Sequence, residues 1–126
     1  KRNIKDNCLS IYKNLFGGNR TEWTYDIMNI KKYVKIYGEM MDFWKSKNNE
    51  KIYEIFYEDL VKNQENEIRN LLTFCNLNFE KECLEHHKSK NPIKTVSINQ
   101  SRKPIYKDSI ESNLRYKNFS NLFKDI

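Results

Sequence analysis

The chain reads as a mixed fold of helix and strand, mostly helical, and three observations predict it. Apolar residues recur at spacings of three and four over 4–15 and again over 25–47. One β-branched and aromatic run, Ile52-Tyr53-Glu54-Ile55-Phe56-Tyr57, stands between helical stretches. The length of 126 residues suits a single domain with a modest core.

The first helix places Ile4, Cys8, Ile11, Tyr12 and Leu15 on one face, and Gly17-Gly18 are expected to end it. Asp6 in its first turn suits the positive end of the helix dipole. Arg2 stands just before this helix and Ser10 on it, off the apolar stripe. A guanidinium fork and a hydroxyl near one corner are a pair that can hold a phosphate.

A loop follows over Gly17–Trp23, with Gly-Gly-Asn as its turn signal. Trp23 and Tyr25 read either as a plug packing that loop onto the core or as an aromatic wall of a substrate pocket. Tyr25–Lys47 is the longest predicted helix, with Ile27, Ile30, Val34, Tyr37, Met41 and Trp44 as its core stripe. Lys51–Tyr57 is the predicted strand, and Glu58 and Asp59 after it orient a turn or cap the next element. Tyr57, at the C-terminal edge of that strand, is either a core tyrosine or a wall of a base pocket.

Asn63–Cys75 is a short amphipathic helix with Ile68, Leu71, Leu72 and Cys75 inward, followed by a turn and a further short helix over Glu80–Lys88. Ser89–Lys107 has no helical period, two prolines, and many hydroxyls and cations. A loop of that length is a functional or disordered segment. Asp108–Phe123 is the last predicted helix, with Ile110, Leu114, Leu122 and Phe123 inward.

The net charge of +6 is not evenly spread. Residues 1–20 carry +4 and 88–107 carry +6, whereas 21–87 carry −4 and 108–126 balance. Two basic segments fit one compact polyphosphate site, a nucleic-acid surface or a solvated face. Cys8, Cys75 and Cys83 are odd in number and lack paired spacing, which argues against a disulfide framework. Cys8 and Cys75 fall on apolar faces and are expected to be buried thiols. Cys75, Cys83, His86 and His87 match no common zinc spacing, so no metal is expected. No stretch is long and apolar enough to cross a membrane.

Three phrases, in order, carry a family resemblance. Arg2-x-x-x-Asp6-Asn7-Cys8-Leu9-Ser10-Ile11-Tyr12-Lys13-x-x-Phe16 resembles the 3′-phosphate-binding segment of sulfotransferases that use 3′-phosphoadenosine 5′-phosphosulfate. Its form is closest to the bacterial enzymes often fused to tetratricopeptide repeats. The strand running into Tyr57-Glu58-Asp59-Leu60 resembles the segment whose tyrosine contacts adenine. Ser97-x-x-Gln100-x-Arg102-x-Pro104-Ile105-Tyr106 resembles the loop that closes over the nucleotide. Ile4 stands where the family usually has proline, and Asn113 where a tryptophan is common.

The resemblance implies an α/β fold, the C-terminal part of a P-loop-type sulfotransferase with a parallel sheet flanked by helices. Residues 1–126 are then expected to be the C-terminal portion of one sulfotransferase domain, its N-terminal P-loop half absent. The implied activity is sulfuryl transfer to a hydroxyl or amine of a small or polymeric acceptor, with 3′-phosphoadenosine 5′-phosphosulfate as co-substrate and no metal. Arg2, Ser10, Arg102 and Lys103 would hold the 3′-phosphate side, Tyr57 the adenine, and Ser97 the phosphosulfate. The P-loop lysine and catalytic base are not in this chain, which by itself is expected to be inactive. A bacterial cytoplasmic location and no nucleic-acid partner complete the implied picture. The alternative is a small basic RNA- or nucleotide-binding module without catalysis, which accounts for the charge but not for the three ordered phrases.

Overall fold

A computed structural model of the chain describes residues 1–18, 20–89, 91–92 and 102–125. Five α-helices are assigned among them: α1 Ile4–Lys13, α2 Ile27–Asn48, α3 Tyr57–Lys62, α4 Gln64–Phe74 and α5 Lys117–Leu122. The chain divides into two compact units. One comprises Arg2–Ile52 and Asp108–Ile126, the other Lys1 and Tyr53–Lys107.

In the first unit, α1 starts on Asn3, whose side chain accepts hydrogen bonds from the amides of Lys5 and Asp6 at 3.0 and 3.2 Å. The helix stops at Asn14, in extended conformation, three residues before the glycines expected to end it. Leu15 is therefore off the helix and 83 % exposed. The loop beyond it is closed by its own polar groups. Phe16 N–H donates to the Tyr25 hydroxyl at 3.2 Å, and the Thr21 hydroxyl donates to Gly18 O at 2.9 Å. Trp23 stacks on Tyr33, ring centroids 4.4 Å apart, and packs on the core, which makes it a plug rather than a pocket wall.

The long helix begins later than expected, because Glu22–Tyr25 form a 3₁₀ turn and Asp26 caps α2, accepting from Asn29 N–H at 2.8 Å. The core is small: Cys8, Ile30 and Phe123 are fully buried, with Ile4, Ile11, Ile27, Val34 and Phe119 packed against them. Tyr37 and Trp44, expected in this core, are 43 % and 49 % exposed. They lie in phase with Ile30 but further along α2 than the core reaches.

The single helix expected over Asp108–Phe123 is broken. Glu111 takes a left-handed conformation, φ 54°, Ser112–Arg115 form a 3₁₀ turn, and helix resumes only at α5. The break turns Leu114 outward while Phe123 still reaches the core.

The expected strand Lys51–Tyr57, whose residues from Tyr53 on belong to the second unit, is not a strand, and no strand occurs among the described residues. Asn49–Lys51 close a 3₁₀ turn, residues 52–56 carry no assigned secondary structure, and Tyr57 opens α3. A ladder needs a neighbour along its length, and pairing here involves one residue. The Lys1 amino nitrogen donates to Ile55 O, and Tyr57 N–H donates to Lys1 O at 2.8 Å. Those two bonds around Phe56 have the pattern of parallel pairing. Lys1 also pairs with Glu54 at 2.5 Å.

The helices α3 and α4 pack together, and Tyr53 lies against Phe74 with centroids 5.2 Å apart. Asn76, φ 55°, ends α4 in a Schellman arrangement: Leu77 N–H donates to Leu72 O at 2.8 Å and Asn76 N–H to Thr73 O at 3.0 Å. Cys75 sits at this cap and is exposed, contrary to the buried thiol expected. The short helix expected over Glu80–Lys88 is two 3₁₀ turns, Lys81–Leu84 and His86–Lys88. No helix of the described residues is long and apolar enough to cross a membrane.

Candidate functional site

The first unit holds Arg2 and Ser10. Arg2 lies immediately before the cap of α1 and is half-buried; its Nη2 donates to Ser109 O at 2.6 Å. Ser10 lies two turns along, half-buried, its hydroxyl accepting from Asn14 Nδ2 at 3.4 Å. Within α1, Asp6 and Ser10 are four residues apart and keep to one side of the helix, and Arg2 precedes its cap.

Asp6 has a different task from the one its sequence position suggests. Expected to face the helix dipole from the first turn, it is completely buried. Its Oδ1 accepts from Asn113 N–H at 2.7 Å, from Asn113 Nδ2 at 2.7 Å and from the Ser112 hydroxyl at 3.1 Å. Asn113 is itself buried, and its Oδ1 accepts from the Ser120 hydroxyl at 3.1 Å. Where the resembling family commonly has an aromatic residue, this chain therefore carries a polar bridge between α1 and the C-terminal turns. Burial pushes the Asp6 pKa up, but the Asn113 and Ser112 hydrogen bonds and the nearby Arg2 charge outweigh it and hold the carboxyl below its usual value. The four-residue step from Asp6 to Ser10 on α1 was the available signal that Asp6 belongs to this side of the helix.

Chemically, α1 carries a guanidinium just before its start and a hydroxyl two turns along, and its start is anchored at two points, Arg2 on Ser109 and Asp6 on Ser112–Asn113. Such a donor set suits an anionic oxygen ligand and, held by backbone and buried bonds, keeps its geometry.

The second unit holds Tyr57, Arg102 and Lys103. Tyr57 is half-buried at the start of α3, and its hydroxyl donates to Tyr106 O at 3.4 Å. That bond brings the 102–107 segment against the tyrosine, so two phrases far apart in sequence meet. Arg102 is half-buried with Nη2 donating to Asn91 O at 2.6 Å, and Lys103 is exposed. Ser97 lies outside the described residues. Among those described, no three His, Cys, Asp or Glu side chains gather as a metal site.

Comparison with known proteins places the chain. Residues 1–81 match the model of the Sulfotransferase family, a stretch that contains Arg2, Ser10 and Tyr57 and ends before Arg102 and Lys103. The chain belongs to the sulfotransferase family. It is also similar to an uncharacterized protein of Aquifex aeolicus (strain VF5), at 36% identity over 121 residues. That match covers 94% of this chain and 16% of the relative's length. No solved structure matches the chain.

Proposed function

We propose that the chain supplies the nucleotide-holding part of a sulfotransferase that uses 3′-phosphoadenosine 5′-phosphosulfate. Arg2 and Ser10 bind the 3′-phosphate, Tyr57 packs on the adenine ring, and Arg102 and Lys103 add positive charge. Ser97 is assigned to the phosphosulfate. The reaction moves the sulfuryl group from the donor to an acceptor hydroxyl or amine, which gives up a proton, and leaves adenosine 3′,5′-bisphosphate. Within it, this chain binds and orients; no residue of it is assigned as base or as catalytic lysine. For such a transfer, positioning and charge stabilisation supply most of the acceleration, by analogy with phosphoryl transfer.

The observation that carries the reading is the family match over the segment that holds Arg2 and Ser10, supported by the anchoring of Arg2 and Asp6 at the start of α1. A thermal-shift titration tests it. Adenosine 3′,5′-bisphosphate is expected to raise Tm with the logarithm of its concentration above Kd, with about 2.7 kcal/mol of stabilisation at a hundred times Kd. Adenosine 5′-monophosphate is expected to do much less, and Ser10→Ala to blunt the bisphosphate effect. Equal shifts from the two nucleotides in wild type and variant would count against the assignment.

A further inference from the structure

A cavity in the first unit lies outside every residue assigned to the nucleotide. It has a volume of about 780 Å³ and opens between the C-terminal half of α1 and the segment 114–119. Arg2 and Ser10 do not line it. Its size is that of small-molecule sites, roughly 300–1,000 Å³.

The walls are aromatic and aliphatic. Leu9, Tyr12, Tyr116 and Phe119 line it, Leu9 buried and Tyr12 tilted against Phe119 at 5.4 Å between centroids. Tyr116 is 55 % exposed, which leaves ring surface for a ligand. The charged lining is of one sign. Lys13, Arg115 and Lys117 line the cavity and no carboxylate does. None of the three forms an ion pair among the described residues. Three cations around rings in a concave space present a ligand with π surface and positive potential together.

We propose that this cavity binds a small aromatic anion, a planar ring system carrying a carboxylate or a sulfate ester. The rings take the apolar body, and Arg115, Lys117 and Lys13 take the anionic end. A neutral arene would leave the cations unused, and a bare inorganic anion would leave the aromatic walls in water. The placement is fixed by α1, which presents Leu9, Tyr12 and Lys13 on one face at steps of three and four. The proposal stands apart from the nucleotide assignment.

Calorimetric titration of the protein with 2-naphthoate and 2-naphthyl sulfate tests it, with 2-naphthol and inorganic sulfate as controls. Saturable binding of at least one aryl anion is expected, ten-fold or more tighter than 2-naphthol, with no measurable binding of inorganic sulfate at the same concentrations. The tighter of the two aryl anions identifies the anionic group. Arg115→Gln with Lys117→Gln is expected to weaken that binding ten-fold or more, and Lys13→Gln, on the other wall, to weaken it independently. Saturating adenosine 3′,5′-bisphosphate should leave the affinity unchanged. Equal affinity for 2-naphthol, binding unaltered in folded variants, competition by the bisphosphate, or no saturable binding would each overturn it.

Discussion

Asp6 is the most consequential single side chain of the first unit. A buried carboxylate that accepts three hydrogen bonds stabilises the chain only while it is ionised and its donors are in place. Asp6→Ala is expected to cost about 1–3 kcal/mol, because Asn113 N–H and Nδ2 are left without an acceptor. The pH dependence follows from the lowered pKa. The contribution of Asp6 is fully present above the ordinary value of 3.8 and is lost as pH falls through the lower folded value. Denaturant unfolding of wild type and Asp6→Asn at pH 7 and pH 3 checks this: the stability difference should shrink at the lower pH, and parallel losses would contradict it.

Cys8 gives a second residue-scale expectation. Burial pushes its thiol up to about 11, so it stays protonated and enclosed. Mass mapping of iodoacetamide labelling at pH 8 should find Cys75 modified in the native protein and Cys8 only after unfolding. The exposure of Cys75 was hidden because it falls in helical phase with Leu71 and Leu72, while the left-handed Asn76 ends the helix at that point. Periodicity shows which face a residue would take and does not show where a cap cuts the helix.

At the scale of elements, α2 explains both what the sequence made legible and what it hid. Its apolar residues spread over more than one face. Ile27, Ile30 and Val34 meet the core, whereas Ile36, Tyr37, Met40, Phe43 and Trp44 stay exposed. The stripe through Ile27, Ile30, Val34, Tyr37, Met41 and Trp44 is one face, but the core reaches only its first half, so Tyr37 and Trp44 stay exposed although in phase with Ile30. Ile30→Ala is expected to destabilise by about 2–5 kcal/mol, the cost of a core deletion. Trp44→Ala is expected to change stability by less than about 1 kcal/mol. Urea midpoints separate the two, and equal losses would place Trp44 in a core that the structure does not show.

The helices α1, α2 and α4 were readable, since their periods are local, whereas α3 falls where a strand end and a turn were expected. The strand was not, since residues 52–56 have strand composition but one paired residue. The C-terminal break at Glu111 was equally hidden, because nothing in Ser109–Asn113 marks a left-handed residue as glycine would. The site divides in the same way. Residue type and spacing singled out Arg2 and Ser10 as candidates, but the Asp6–Asn113 bridge joins positions 107 apart and has no local signature.

For the whole molecule, the two basic stretches remain the feature that composition alone brought out, and one of them, residues 1–20, lies inside the segment that matches the family. The chain spans only 16% of the relative from Aquifex aeolicus, so sulfuryl transfer by the whole protein rests on the proposal, and nucleotide recognition is the part these residues can test. The most direct test is a calorimetric comparison of adenosine 3′,5′-bisphosphate with adenosine 5′-monophosphate on wild type and Arg2→Ala. The 3′-phosphate should add ten-fold or more in affinity, as a charge-assisted contact of about 1.5–3 kcal/mol does, and the substitution should erase that advantage. Equal binding of the two nucleotides, indifferent to Arg2 in a folded protein, would contradict the account.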